Sequence, residues 1–77
     1  MCLYWLVYTR DEGIAVIIQP AASLLYARLA AAIAEIDDGN FTEGHQLDTK
    51  LSKLVPKAMI GRRLSQDEAM KLLAKFE

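Results

Sequence analysis

The strongest constraint on the fold is an N-terminal stretch whose two faces are both apolar. Residues 2–9 are rich in aromatic and aliphatic side chains, residues 14–19 are rich in β-branched ones, and Gly13 lies where the turn between them needs a glycine. This pattern predicts an antiparallel β-hairpin. A strand with one face in water alternates apolar with polar side chains, but Tyr4 and Trp5 point to opposite faces and both are apolar. The hairpin therefore needs cover on both sides.

A chain of 77 residues has few other residues that could pack against both faces of the hairpin. A domain of this size buries about 60% of the surface of its unfolded chain, yet 53% of the residues are hydrophobic. The sequence shows no third strand, and a lone two-stranded ribbon is marginal in water. We therefore expect a homodimer in which two hairpins join into one sheet and the Ala-rich segment that follows the hairpin also takes part in the contact. The side chains expected to mediate self-association are Tyr4, Leu6, Tyr8, Ile14, Val16 and Ile18.

A long helix is expected after the hairpin. Pro20 can open a helix, since the first helical residue needs no N–H. The segment 21–38 is rich in Ala and Leu, and Gly39 is the expected stop. Because almost all of its circumference is apolar, we expect this helix to be mostly buried. The apolar stretch 14–34 is interrupted by polar residues and a proline, which indicates a strand followed by a helix rather than a membrane span.

Shorter elements are expected in the rest of the chain. Residues 41–45 are predicted as a connecting loop, and residues 46–55 as a helix that the following proline ends. A short helical turn is expected at 56–60. Ser65 and Glu68 have the spacing of a capping box, which predicts the start of a final amphipathic helix.

The chain is thus predicted to be a single small α+β domain, residues 1–77. It consists of an N-terminal antiparallel β-hairpin followed by one long Ala-rich helix and two to three shorter helices. A single cysteine, Cys2, excludes an intramolecular disulfide and is typical of a reducing compartment. The apolar N-terminus lacks the basic region of a signal peptide. We therefore expect a cytoplasmic protein without a membrane anchor.

The charge of the chain changes sign near residue 49. Residues 1–49 carry two basic and seven acidic side chains, whereas residues 50–77 carry seven basic and three acidic ones. Such a basic segment can neutralise several phosphates, so nucleic-acid binding is an alternative function. A solvated or internally paired face is the other interpretation. The candidate polyanion-binding residues are Lys50, Lys53, Lys57, Arg62 and Arg63.

No catalytic pattern stands out. The sequence has no glycine-rich phosphate loop, no nucleophile elbow and one histidine. The acidic stretch that contains His45 fits neither a calcium loop nor a zinc pattern. We therefore predict no enzyme, no metal and no cofactor. A second alternative is a small-molecule-binding domain built from His45 and the aromatic side chains Tyr4, Trp5, Tyr8 and Tyr26.

One segment resembles part of the small C-terminal repeats of some type IA DNA topoisomerases. It is Gly61-Arg62-Arg63-Leu64-Ser65-x-x-Glu68-Ala69-x-x-Leu72-Leu73, which covers 13 of the 77 residues. A glycine stop and a Ser-capped amphipathic helix account for most of the match, and it assigns no residue roles. The sequence as a whole favours a non-enzymatic interaction module that self-associates, with an unknown protein partner. Nucleic-acid binding and small-molecule binding are the alternatives.

Overall fold

The computed structural model describes residues 2–37 and 39–77 as a mixed α+β fold. Its strands are β1 (Cys2–Arg10), β2 (Gly13–Ala21), β3 (Asn40–Gln46) and β4 (Arg63–Leu64). Its helices are α1 (Leu24–Ile33), α2 (Thr49–Ser52) and α3 (Gln66–Phe76), with a 3₁₀ turn at Lys57–Met59. Met1 and Asp38, the latter the predicted last residue of the long helix, lie outside the described residues.

The predicted hairpin is confirmed. β1 and β2 pair along their whole length, from Cys2 opposite Ala21 to Arg10 opposite Gly13. The prediction that no third strand exists is wrong, because the four strands form one sheet in the order β3-β1-β2-β4. Every strand pair in it is antiparallel.

The segment predicted as a loop at 41–45 forms most of β3. It pairs with β1, and the register shifts between Val7 and Tyr8 because Thr42 is an extra residue on β3. The Thr42 hydroxyl donates to the Val7 carbonyl at 3.1 Å. β3 is an edge strand with mostly exposed side chains, so it lacks the apolar alternation that marks a buried strand.

Helices cover the sheet on both faces, which accounts for the two apolar faces of the hairpin within one chain. α1 packs on the face whose buried residues are Tyr4, Leu6, Tyr8, Ile17, Ala21, Ala27 and Ala31. α2, the 3₁₀ turn and α3 pack on the opposite face. The buried residues there are Trp5, Val7, Val16, Ile18, Leu47, Val55, Leu64, Ala69 and Leu72.

α1 begins later than predicted. Pro20 lies within β2 opposite Leu3, so it does not open the helix. Ser23 does so instead, because its hydroxyl accepts the N–H of Tyr26 at 3.3 Å and satisfies one of the free donors of the first turn. The helix is 10 residues long and is therefore not the long element that the sequence suggested.

α1 also ends earlier than predicted, at a Schellman motif rather than at Gly39. The N–H of Ile36 donates to the carbonyl of Ala31, and the N–H of Glu35 donates to that of Ala32. Both distances are 3.1 Å. Glu35 has a φ of 59°, the left-handed conformation that this motif requires and that glycine usually supplies.

The predicted helix at 46–55 is a single turn. The N–H of Leu47 still donates to the Leu3 carbonyl of β1 at 2.9 Å, which keeps the chain extended up to Asp48. The Asp48 carboxylate then accepts the N–H of Leu51 at 2.8 Å and caps α2. No helix in the described part of the chain is long and apolar enough to cross a membrane.

The end of the chain follows the prediction. The helical turn expected at 56–60 is the 3₁₀ turn. The capping box of α3 is complete: Ser65 accepts the N–H of Glu68, and the Glu68 carboxylate accepts the N–H of Ser65, both at 3.2 Å.

Candidate functional site

The exposed side of α1 carries larger apolar side chains than its buried side. Ala27 and Ala31 face the sheet and have no exposed surface. Four large apolar side chains point away from the sheet, and we call them the α1 apolar face: Leu25 (62% exposed), Tyr26 (61%), Leu29 (46%) and Ile33 (82%). The prediction that this helix is mostly buried is therefore wrong for the chain on its own.

A groove runs between α1 and the segment that enters β3, and we call it the α1 groove. Its volume is about 330 Å³. Side chains from β1, α1 and β3 contribute to its lining, which includes Tyr8, Leu25, Arg28, Leu29, Asp37 and Phe41. The groove thus combines apolar walls with a phenol, a guanidinium and a carboxylate.

Phe41 orders the aromatic end of this groove. The rings of Tyr8 and Phe41 meet edge to face with centroids 5.6 Å apart. The Arg28 guanidinium lies over the Phe41 ring, 4.1 Å from its centroid. This cation–π contact turns Arg28 towards the groove.

The Tyr8 hydroxyl experiences both charges of the groove. Burial raises the pKa of Tyr8 above its usual value of 10.0, and the Asp37 carboxylate raises that pKa further. The Arg28 guanidinium acts in the opposite direction. The three groups therefore lie within electrostatic reach of one another, and Tyr8 is protonated and able to donate a hydrogen bond at neutral pH.

The six residues expected to mediate self-association lie elsewhere. Tyr4, Leu6 and Tyr8 are buried under α1, Val16 and Ile18 are buried on the opposite face of the sheet, and Ile14 is half-buried there. Self-association through these side chains stays a prediction. The apolar surface that the chain leaves exposed nearby belongs to α1.

The basic segment is divided between solvent and internal contacts. Lys50, Lys53 and Lys57 are exposed. Arg62 donates to the Glu68 carboxylate at 2.6 Å and to the Ala58 carbonyl at 2.8 Å. Nε of Arg63 donates to the Ile36 carbonyl at 3.0 Å. Polyanion binding by the five residues stays a prediction.

The ion pair between Arg62 and Glu68 also shifts the pKa values of both groups at the start of α3. The Arg62 guanidinium and the Ser65 N–H hold the pKa of Glu68 at about 2, and the hydrogen bond to Glu68 raises the pKa of Arg62. A negative charge at this position also suits the positive end of α3. Arg62 therefore has a structural task in the capping of this helix.

His45 and Trp5 meet in a second groove, on the opposite face of the sheet. Its volume is about 330 Å³, and Phe76 packs edge to face against Trp5 at 5.9 Å. Nε2 of His45 lies 3.5 Å from the Glu43 carboxylate at the rim. Within residues 2–37 and 39–77, no three His, Cys, Asp or Glu side chains come close enough to hold a metal ion.

The sequence interpretation missed Arg28, Asp37 and the outward leucines of α1 as candidate site residues. Their signal was the spacing of Leu25, Leu29 and Ile33, which at i, i+4 and i+8 form one ridge of a helix. The alanines between them showed which side could approach the sheet. The groove had no comparable signal, since its polar groups come from separate elements.

The chain was compared with protein-family models, curated proteins and solved structures, and none of them matches it. The segment 61–73, which resembles topoisomerase repeats, therefore has no support from a family match. In the structure it forms the edge strand β4 and the first turns of α3.

Proposed function

We propose that this chain is a non-enzymatic interaction module that self-associates through the α1 apolar face. The observation that carries the proposal is the inverted layout of α1. A helix at the surface normally turns its large apolar side chains to the core and polar ones to water. Apart from Leu24, which packs inward at its first position, α1 does the reverse, with Ala27 and Ala31 inside and Leu25, Leu29 and Ile33 outside. This is the layout of a helix between two packed layers.

A second copy of α1 fits this surface by shape. Leu25, Leu29 and Ile33 form an i±4 ridge, and two such ridges pack into each other's grooves at about −50°. An antiparallel pair with its two-fold axis near Leu29 places Leu25 of each copy against Ile33 of the other. The same patch serves both copies, as an isologous dimer requires.

Charge also favours a copy of the chain as the partner. Arg28 is the one charged residue between Leu24 and Ile33. It lies over the Phe41 ring, to the side of the ridge. The two ridges can therefore meet without burying an unpaired charge in the centre of the contact, which would be costly.

The exposed area is sufficient for a weak dimer. The four side chains of the α1 apolar face together expose the equivalent of about two and a half whole side chains. At about 1.5–3 kcal/mol for each, two copies gain about 8–15 kcal/mol. Association itself costs about 4–15 kcal/mol. These two ranges overlap, and a surplus of about 4–8 kcal/mol within them corresponds to a dissociation constant between about 1 mM and 1 µM.

Sedimentation equilibrium over about 1 µM to 1 mM tests the proposal directly. We expect the wild type to pass from monomer to dimer within this range. Ile33→Glu places a carboxylate in the contact and should weaken the dimer by at least about 100-fold, since a buried unpaired charge costs several kcal/mol. Circular dichroism checks that the variant keeps its fold.

Met70→Glu is the matched control. Met70 is an apolar residue of α3, 59% exposed, on the opposite side of the sheet from α1. The Met70→Glu substitution should leave the dissociation constant of the dimer unchanged. A wild type that is monomeric at about 1 mM, or an Ile33→Glu variant that dimerises as the wild type does, contradicts self-association through α1.

A further inference from the structure

We propose that the α1 groove binds a free α-amino acid with an apolar side chain. Arg28 and Tyr8 would hold its carboxylate, Asp37 would hold its ammonium group, and Leu25 and Leu29 would contact its side chain. This site shares Leu25 and Leu29 with the α1 apolar face but does not include Ile33, and it assigns a ligand to polar groups beside that face.

The first support is a tyrosine hydroxyl that lines the groove and has no partner among the described residues. The Tyr8 side chain is buried, but its hydroxyl oxygen keeps some exposure towards the groove. The hydroxyl makes no hydrogen bond to any residue in the described ranges 2–37 and 39–77. A phenolic hydroxyl both donates and accepts hydrogen bonds, so it can bind a ligand that enters the groove. A ligand oxygen in the groove would supply the missing acceptor.

The second support is an arginine without a carboxylate partner. Within the part of the chain that the structure describes, Arg28 forms no ion pair, and its guanidinium lies over the Phe41 ring. The ring fixes the guanidinium plane and leaves its N–H groups free to bind. A planar guanidinium matches a carboxylate with two parallel hydrogen bonds.

The charge balance of the groove favours a zwitterion over a simple anion. Asp37 shares the lining with Arg28, so the two polar side chains of opposite charge cancel. An anion would meet the Asp37 carboxylate, and a cation would meet the Arg28 guanidinium. A molecule with an ammonium and a carboxylate on one carbon satisfies both, since each charge then faces its opposite.

The volume and the lining of the groove determine which size and which side chain of the amino acid fit best. A volume of about 330 Å³ is at the small end of ligand pockets, which suits a molecule of amino-acid size. Leu25, Leu29 and Ala32 form the helical wall, and Phe41 closes the aromatic end. These walls carry no polar group for a polar side chain, so an aliphatic or aromatic one fits best.

The test is a calorimetric titration with three matched probes. L-leucine carries both charges, 4-methylpentanoate lacks the ammonium group, and 3-methylbutylamine lacks the carboxylate. The protein is the Ile33→Glu variant, because Ile33 does not line the groove and this change removes self-association from the measurement. We expect L-leucine to bind and each of the other two to bind at least about tenfold more weakly, since each loses one charged contact.

Tyr8→Phe and Tyr4→Phe form a matched pair of variants. Both tyrosines are buried on the same face of β1, but only Tyr8 lines the groove. Tyr8→Phe should lower the affinity for L-leucine by about tenfold, and Tyr4→Phe should leave that affinity unchanged. The proposal is overturned if L-leucine does not bind at about 10 mM, if 4-methylpentanoate binds as tightly, or if the two variants behave alike.

Discussion

The left-handed residue at the end of α1 allows a sharp test of the fold. Glu35 has a φ of 59°, and it is the one non-glycine residue in the described chain with a positive φ. Its side chain is exposed. We therefore predict that Glu35→Gly stabilises the protein, because glycine adopts this conformation without the clash between Cβ and the backbone.

The magnitude follows from two opposing terms. A left-handed conformation costs a residue other than glycine about 1–2 kcal/mol. Glycine also has an opposing effect. It gives the unfolded chain more conformations, and losing them on folding costs about 0.5–1 kcal/mol. The net increase in the free energy of unfolding is about 0.5–1 kcal/mol.

Ala34→Gly is the control one residue away. Ala34 has a φ of −77° and ψ of −4°, which is right-handed, so glycine relieves no strain there. It adds only the entropic cost, and the variant should lose about 0.5–1 kcal/mol. The two glycine substitutions, at adjacent positions, are thus expected to change the free energy of unfolding in opposite directions.

Urea denaturation measures both variants. The chain has one tryptophan, Trp5, which is 7% exposed and reports the unfolding of the core by fluorescence. With an m-value of about 1 kcal/mol/M, Glu35→Gly should raise the midpoint by about 0.5–1 M. A Glu35→Gly midpoint at or below that of the wild type would show that α1 does not end in the left-handed conformation.

Three further predictions concern α3 and the contact between β3 and α1. Ser65→Ala removes the α3 cap and should lower the free energy of unfolding by about 1 kcal/mol in urea. Glu68 has a pKa of about 2 against a usual 4.5, so its contribution to stability is complete above pH 4.5 and is lost as the pH falls towards 2. Arg62→Gln should raise that pKa towards 4.5, as carbon-detected NMR titration can measure. Gly44→Ala should lower the free energy of unfolding in urea by only about 1 kcal/mol, because its Cβ would lie 2.6 Å from Cδ1 of Leu24, the end of a side chain that can move.

Local signals made the hairpin and α3 predictable. The hairpin has aromatic and β-branched runs around a glycine turn, and the capping box of Ser65 and Glu68 lies within four residues of sequence. Each of these signals involves near neighbours along the chain. No distant contact was needed to identify either element.

β3 depends on distant contacts and the end of α1 depends on an unusual backbone conformation, so the sequence could not reveal them. β3 has Gly44 where the sheet meets α1, because a side chain there would collide with Leu24 and Phe41. A glycine within a polar run normally indicates a loop. Glu35 likewise gives no sign of a helix end, since most residues avoid the left-handed conformation that it adopts.

The strands that the sequence did not reveal also shaped the prediction of the self-association residues. Without β3 and β4, the hairpin appeared to need a second copy on its own strands, so Tyr4, Leu6 and Tyr8 were expected in the contact between copies. The chain covers them with α1 instead. The large apolar side chains that stay exposed on this side of the sheet belong to α1, which is where we propose the contact between copies.

The two proposed activities share side chains and must therefore be coupled. Leu25 and Leu29 belong both to the α1 apolar face and to the wall of the α1 groove. A second copy on the face and an amino acid in the groove contact the same two residues. Thermodynamic linkage makes this coupling reciprocal. If L-leucine changes the affinity of one copy for another by some factor, dimerisation changes the affinity for L-leucine by the same factor. Sedimentation of the wild type with saturating L-leucine should shift the dissociation constant by about 5–150-fold, and an unchanged constant would contradict one of the two placements.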